Sequence, residues 1–357
     1  MSEGVERSQE RSGAIRRALG VVRRAVRRAI GASGGAELVD LRREVRALRQ
    51  TTHDLSRQQK QLTKAFRLQS KRLGRTLQAL QRINEQLGEK GLTMRARLLE
   101  QGMHAVIRRL YVDPAELTYP HALLVQRFGI LSQNDEDGLT WALFRLIGVT
   151  DRRFVELGSG VNGGNSGFLA SECGWTGLMV DGSDARIERV KTRFGPGVRA
   201  EARWITRESV NELVSEHGLA GEIDLLSIDI DGNEYWVWEA LTVCNPRVVI
   251  VEYNAWFGPE RAVTVPYDPQ FDRHKFPDPR YYGSSLTALA RLGARKGYRL
   301  VVTEPRGVNA YFVRQDVHPA LQACEPAAVF RFNDTSHGGD FYASIAEHHL
   351  PLVDVTA

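Results

Sequence analysis

Between residues 121 and 315, short apolar runs alternate with stretches of helical spacing, and this alternation limits the possible folds more than any other feature. The runs are RRFVELG, TGLMVD, EARWI, EIDLLSID and RVVIVE, followed by the pair GYRLVVTE and VNAYFVR. Runs that are apolar on both sides belong in a parallel sheet whose two faces are covered by helices. The first five alternate with helical segments. The last two flank a short turn at Pro305-Arg306-Gly307, which predicts a hairpin and an antiparallel final strand. The expected fold is a seven-stranded, mostly parallel α/β sheet.

The first part of the chain reads differently. From Leu38 to Leu87 apolar residues recur at alternating steps of three and four, interrupted on that seam by Thr52, Gln59, Gln69 and Thr76. A repeat held this long without proline predicts a coiled coil, with the polar seam residues fixing register. The rival is one long amphipathic helix folded back on its own domain. Before it, Ile15, Leu19, Val22, Val26 and Ile30 form one helical stripe opposite Arg16, Arg17, Arg23, Arg24, Arg27 and Arg28, and GASGGA at 31–36 breaks the pattern. Such a helix suits either an anionic membrane surface or a partner. The sequence thus divides into a basic helix and joint (1–35), a coiled coil (36–90), a helical connector (91–120), the α/β domain (121–315) and a C-terminal extension (316–357).

Composition matters where it excludes. The net charge of +5 is uneven, with eight arginines in the first 35 residues, so it argues for a basic tail and against a nucleic-acid-binding body. No apolar run reaches the ~18 residues of a membrane span, and the start lacks a secretory pattern. Cys173, Cys244 and Cys324 stand singly, without disulfide or zinc spacing. A cytoplasmic protein is expected, in contact with the inner face of the membrane if the basic helix binds there.

The first strand runs into VELGSGVNGGNS, residues 155–166. Gly158 and Gly160 permit a sharp turn and a close approach of ligand to backbone. With Gly163 they also satisfy G-x-G-x-x-G, the dinucleotide fingerprint. Glu156 argues the other way, because a carboxylate beside a pyrophosphate is unfavourable, whereas a cofactor with a cationic amino-acid end tolerates it. The second strand ends at Asp181, placed to accept both ribose hydroxyl protons. The fourth delivers Asp229 and Asp231, and the fifth Glu252 and Asn254, to the sheet edge where open α/β folds keep their chemistry. These four offer hard oxygen ligands for magnesium or another divalent ion. In the alternative, Asp229 faces the cofactor's amino group or a substrate hydroxyl directly, and Asp231 starts the next helix. An insertion of about thirty residues follows the fifth strand, a candidate lid or pocket wall. It holds His274 and Lys275, candidate bases, and Tyr281 and Tyr282, which either line an acceptor or pack on the sheet.

The acidic-x-Gly-x-Gly block resembles the first motif of class I S-adenosylmethionine-dependent methyltransferases, a Rossmann-like family. The resemblance implies that Glu156, Gly158 and Gly160 border the methionine moiety, Asp181 the ribose, and Glu208 in TRESV (206–210) the adenine, where a capping role is equally open. Asp229 with the end of the fifth strand is similar to metal-dependent O-methyltransferases, although Glu-Tyr-Asn stands where that pattern has Asp-Asn. SQNDEDGLTWALF, YYGSSLTAL and GVNAYFVR resemble FkbM-type methyltransferases. Together these imply O-methylation of a hydroxylated small molecule or glycan by a coiled-coil oligomer, with S-adenosylmethionine and a magnesium ion, and with Asp229 and His274 as catalytic groups. Two rivals are an inactive methyltransferase-like scaffold working through its coiled coil and an NAD-dependent oxidoreductase.

Overall fold

The computed structural model describes residues 117–332 and 340–355 continuously, together with scattered residues between 46 and 115. The chain separates into two compact units, Met1–Leu92 and Thr93–Ala357. In the first, the described residues, among them Arg46, Gln50, His53, Lys60 and Gln69, are helical and exposed. The basic helix and, Gln69 apart, the coiled-coil seam lie outside the described residues.

From residue 121 the second unit runs through two helices, α1 (His121–Leu124) and α2 (Glu136–Ile147), and continues as strand–helix units. These are β1 (Arg153–Leu157), α3 (Gly167–Glu172), β2 (Thr176–Asp181), α4 (Asp184–Arg193), β3 (Val198–Ala202), α5 (Val210–Glu216), β4 (Gly221–Ile228), α6 (Glu234–Ala240) and β5 (Cys244–Glu252). The insertion carries a short β6 (Val263–Thr264). After it come α7 (Leu286–Arg295), β7 (Tyr298–Thr303), β8 (Asn309–Arg314), α8 (Pro326–Val329), α9 (Phe341–Glu347) and β9 (Val353–Asp354).

Seven strands form one sheet in the order β3-β2-β1-β4-β5-β8-β7. Strands β1 to β5 pair in parallel, and β8 is antiparallel to both β5 and β7. The doubly wound, Rossmann-like sheet with an antiparallel last strand is therefore the one expected from the sequence. Neighbouring residues mostly face opposite cores: Val155, Leu157, Val249 and Val251 pack against α5, α6 and α7, while Phe154, Val248 and Ile250 face α2 and α3. This is why the strands read as unbroken apolar runs.

One boundary differs from the sequence reading. The third strand was expected at EARWI but ends at Ala202, so Trp204 and Ile205 lie beyond it, at the sheet edge. The extension after residue 315 packs on the insertion. Its β9 pairs antiparallel with β6 of the insertion, and Phe341 and Ile345 of α9 share an apolar cluster with Phe257, Val263, Phe271 and Tyr281. The insertion thus has a small core of its own, which holds it as a wall. Among the described residues, no helix is long and apolar enough to cross a membrane.

Candidate functional site

Because β1, β2, β4 and β5 are parallel, their C-terminal tips share one edge, and there the chain leaves a cleft of about 440 Å³. Gly158 opens the loop after β1. Its φ of +94° lies in a region closed to ordinary side chains, and a Cβ there would sit 1.6 Å from the carbonyl oxygen of Asp229. The first glycine of the motif is thus dictated by the packing of the β1 tip on the β4 tip. The amides of Gly158 and Ser159 both donate to Val180 O at 2.9 and 3.0 Å, which binds the loop to β2.

Asp181, at the tip of β2, lines the cleft and accepts from Gly160 N–H at 3.0 Å and Ser183 N–H at 2.9 Å, with Arg186 at 3.4 Å. It therefore both shapes the loop and presents a carboxylate beside it. Glu156 behaves differently. It is fully buried under the loop, where it accepts from Asn165 N–H at 3.2 Å and from the Ser166 hydroxyl at 2.5 Å. Burial pushes its carboxyl up to about 8, against the opposing bonds from Ser166, Ser227 and Asn165. The residue expected to border the cofactor is instead the post on which the glycine loop rests.

Glu208 is also misplaced by the sequence reading. Its side chain is 59% exposed and bonds to the Tyr267 hydroxyl and to Arg207 Nε, outside the cleft. The Tyr267 bond, above all, holds it down to about 2. Since β3 ends three residues earlier than expected, the residues reaching the cleft are Arg203, Trp204 and Ile205. The Trp204 indole is 55% exposed, lies against Gly182 and donates from Nε1 to Pro269 O at 2.8 Å. Sequence reasoning missed it by counting it into the strand. A large aromatic just past a strand's last alternating residue was the available signal.

The lead-in to α2 supplies the opposite wall with Gln133, Asn134 and Glu136. The buried Glu136 accepts from Asn134 N–H at 2.8 Å, Asn134 Nδ2 at 3.0 Å and Asn309 Nδ2 at 3.2 Å, tying the β7–β8 turn to this segment. From the insertion come Phe271, Asp272, Arg273 and His274. His274 is exposed at the cleft, its N–H bonded to Asp272 at 3.0 Å. Lys275 reaches Gln270 O at 3.3 Å and is not part of the wall. Tyr281 and Tyr282 are buried, Tyr281 with its hydroxyl on Pro351 O at 2.5 Å, and neither faces the cleft.

At the tips of β4 and β5 several acids converge. Asp229 lines the cleft, and Glu252 is buried behind it within hydrogen-bonding reach. Burial, then the charge of Asp231, drives Asp229 up to about 7, opposed by Glu252's bond and by Arg273. Burial and the charge of Asp229 push Glu252 well above the usual carboxylate range. Glu234, fully buried at the start of α6, accepts from Ile230 N–H at 3.0 Å and Gly232 N–H at 2.8 Å, and burial raises it to about 7.

The quartet expected to hold a divalent ion is not assembled. Asn254 donates from Nδ2 to Arg280 O and Tyr282 O at 2.7 and 2.8 Å, and its Oδ1 accepts from Trp256 N–H at 2.9 Å, so both ends of the amide are committed. Asp231, at φ +59°, turns its carboxylate to Arg273 Nη1 at 2.6 Å. Among the described residues, no group of three or more His, Cys, Asp or Glu is arranged to hold a metal ion. The residues do fit a nucleoside with a short cationic tail. The glycine bend leaves backbone open to it, and the Asp181 carboxylate stands by the loop with the Trp204 ring beside Gly182.

No family model and no curated protein matches the chain. Among solved structures, the chain is similar to the O-methyltransferase from Bacillus cereus in complex with SAH, at 15% identity over 66% of this chain and 96% of that one, TM-score 0.34. It is similar to the fibrillarin/Nop5p complex at 13% identity over 49% and 80%, TM-score 0.30. A third likeness is to the cyclopropane synthase MmaA2 from Mycobacterium tuberculosis, at 12% identity over 57% and 75%, TM-score 0.28. At these values the likenesses assign neither ligand nor reaction to this chain.

Proposed function

We propose that the chain is an S-adenosylmethionine-dependent methyltransferase of class I, FkbM-like in sequence, that methylates a hydroxyl of a small molecule or glycan. One observation carries the reading: the glycine bend after β1 and the carboxylate at the tip of β2 converge on one cleft at the switch point of a doubly wound sheet. An NAD-dependent oxidoreductase is less well supported. The antiparallel β8 between β5 and β7 departs from the all-parallel dinucleotide sheet, and Glu156 lies buried under the loop that a pyrophosphate would face.

When bound, S-adenosylmethionine supplies a methyl carbon on a sulfonium, whose leaving group needs no acid. The chain's work is then alignment and proton removal. Asp181 holds the ribose hydroxyls, Glu156 fixes the loop, and Trp204 with Ile205 offers a face for the adenine. Asp229 is placed to take the acceptor's proton, since it lines the cleft and titrates near neutrality. His274 is the second base within the cleft wall. Magnesium has no role in this reading. The coiled coil of 36–90 would join copies of the chain, and the basic helix would hold them at the anionic inner face of the membrane.

Calorimetry with S-adenosylhomocysteine and with NADH tests the reading. Micromolar binding of the first and none of the second is expected, and the reverse overturns it. Incubation with labelled S-adenosylmethionine and lysate fractions then tests the acceptor. Label in glycan or small-molecule fractions is expected, and label in protein or RNA removes that half.

A further inference from the structure

The tips of β4 and β5 pose a charge problem that the absent metal set leaves open. Asp229 and Asp231 line the cleft, Glu234 and Glu252 lie buried behind them, and the charge of each disfavours ionisation of the buried ones. Glu234 and Glu252 each keep one oxygen buried without a hydrogen-bond partner, so the backbone does not resolve the problem.

The insertion brings a guanidinium to this point. Arg273 binds Asp231 through Nη1 at 2.6 Å and Pro279 O through Nε and Nη2 at 3.1 and 2.9 Å. Its Cζ lies over the Tyr282 ring, 3.8 Å from the centroid, and it lines the cleft with Asp229. A guanidinium pinned by two bonds to one carbonyl and stacked on an aromatic ring has little freedom left, which is what a fixed charge requires.

We propose that Arg273 is the built-in cation of this site: its guanidinium stands at the tips of β4 and β5 where the sequence suggested a divalent ion, so that the chain works without a metal. Where the cation sits follows from the geometry alone. What it does there, orienting the acceptor oxygen and keeping Asp229 able to take a proton, rests on the methyl-transfer reading. The charged and titratable groups around it are Asp229 and Asp231 from the β4 tip, Glu234 from α6, Glu252 from β5, Glu136 from α2, and Asp272, His274 and Tyr282 from the insertion.

The test is thermal denaturation of the full chain as wild type, Arg273→Ala and Arg273→Lys, at pH 5.5 and pH 8, each in EDTA and in 1 mM Mn²⁺. The wild type should melt at the same temperature in EDTA and Mn²⁺. Arg273→Ala should lose about 3–6 °C at pH 8, where the acids must ionise, and less than half of that at pH 5.5. Arg273→Lys should recover most of the loss. A saturable gain of the wild type with Mn²⁺ overturns the proposal, because the acids then form a metal site. So does an Arg273→Ala loss equal at both pH values, which makes the arginine a packing residue only. Should the alanine variant not fold, the wild-type metal titration and the pH dependence of Arg273→Lys still decide. S-adenosylhomocysteine calorimetry on the wild type is read separately: a null there removes the methyl-transfer reading and leaves the charge result standing.

Discussion

Asp224 within β4 and Asp229 just past its C-terminal tip live in opposite circumstances. Asp224, near the N-terminal edge, is fully buried yet accepts from the amides of Thr150, Asp151 and Arg152 at 2.7 to 3.0 Å and from Arg247 at 2.8 Å. Burial alone would raise its carboxyl; Arg247 and those amides hold it below the usual value. Asp229, at the other tip, has no comparable set of donors and rises to about 7. The difference shows where the fold has finished its own hydrogen bonding and where it has left groups for a ligand. Arg247 also donates to Gly148 O and Ile147 O at 2.7 and 2.9 Å, closing the end of α2, so the lower edge is architecture.

The largest effect should come from breaking that finished edge. Asp224→Ala leaves Arg247 buried without its counter-charge and three amides without an acceptor. A loss of about 3–5 kcal/mol in urea denaturation is expected. Because its folded carboxyl is depressed, the Asp224 contribution is present above its unfolded pKa and disappears as pH falls through the folded value. A loss below about 1 kcal/mol would mean that the edge is not held this way.

Next in size is Asp181→Ala at the upper edge. The substitution removes the acceptor for Gly160 N–H and for any ribose hydroxyls, and affinity for S-adenosylhomocysteine should fall by about 10- to 100-fold. Calorimetry reads this directly, and an unchanged affinity would detach the β2 tip from cofactor binding.

Asp229→Asn should move stability the other way. A carboxyl raised to about 7 when folded is a cost that grows as pH rises from its unfolded value near 4 through 7, since the folded state then binds more protons than the unfolded chain. Removing the charge should therefore stabilise the protein by about 1–2 kcal/mol at pH 8 and change little at pH 4. Denaturation at both pH values checks the sign. Equal destabilisation at both would place Asp229 with Asp224 as a structural acid and erase the contrast between the two edges.

How much of this was legible beforehand follows the same division. The sheet, its hairpin and the glycine turn were readable because burial on both faces forces unbroken apolar runs, and a turn packed against the Asp229 carbonyl forces Gly158. Asp181 was readable because strand tips share an edge. What was not readable depends on contacts distant in sequence. Asn254 is consumed by carbonyls of residues 280 and 282, and Arg273 reaches Asp231 across 42 positions. Neither periodicity nor spacing carries that information, so four residues that read as a metal quartet on paper are separated in the fold, Asn254 bonding to backbone carbonyls and Asp231 pairing with Arg273. Glu156 was found by motif, but its burial beneath the loop depends on Ser166 and Asn165 closing over it.

The smallest effect is the most pointed, because it separates Glu208, which the resemblance puts at the adenine, from Trp204, which lines the cleft. Trp204 has its ring beside the cleft and its Nε1 fixed on Pro269 O, so a base can stack on it without the indole having to be ordered first. Glu208, four residues on, spends its carboxylate on Tyr267 and Arg207 at an exposed position, where such bonds contribute little. Trp204→Ala should weaken S-adenosylhomocysteine binding by about tenfold, and ligand should quench wild-type tryptophan fluorescence. Glu208→Ala should change affinity by less than about twofold. If Glu208→Ala proves the more damaging of the two, the strand must run further than Ala202 when ligand is bound, and the adenine sits against 206–210 after all. A tenfold effect confined to the tryptophan instead fixes the end of β3 where the hydrogen bonds put it, and with it the boundary between the edge the fold has completed and the edge it has left open.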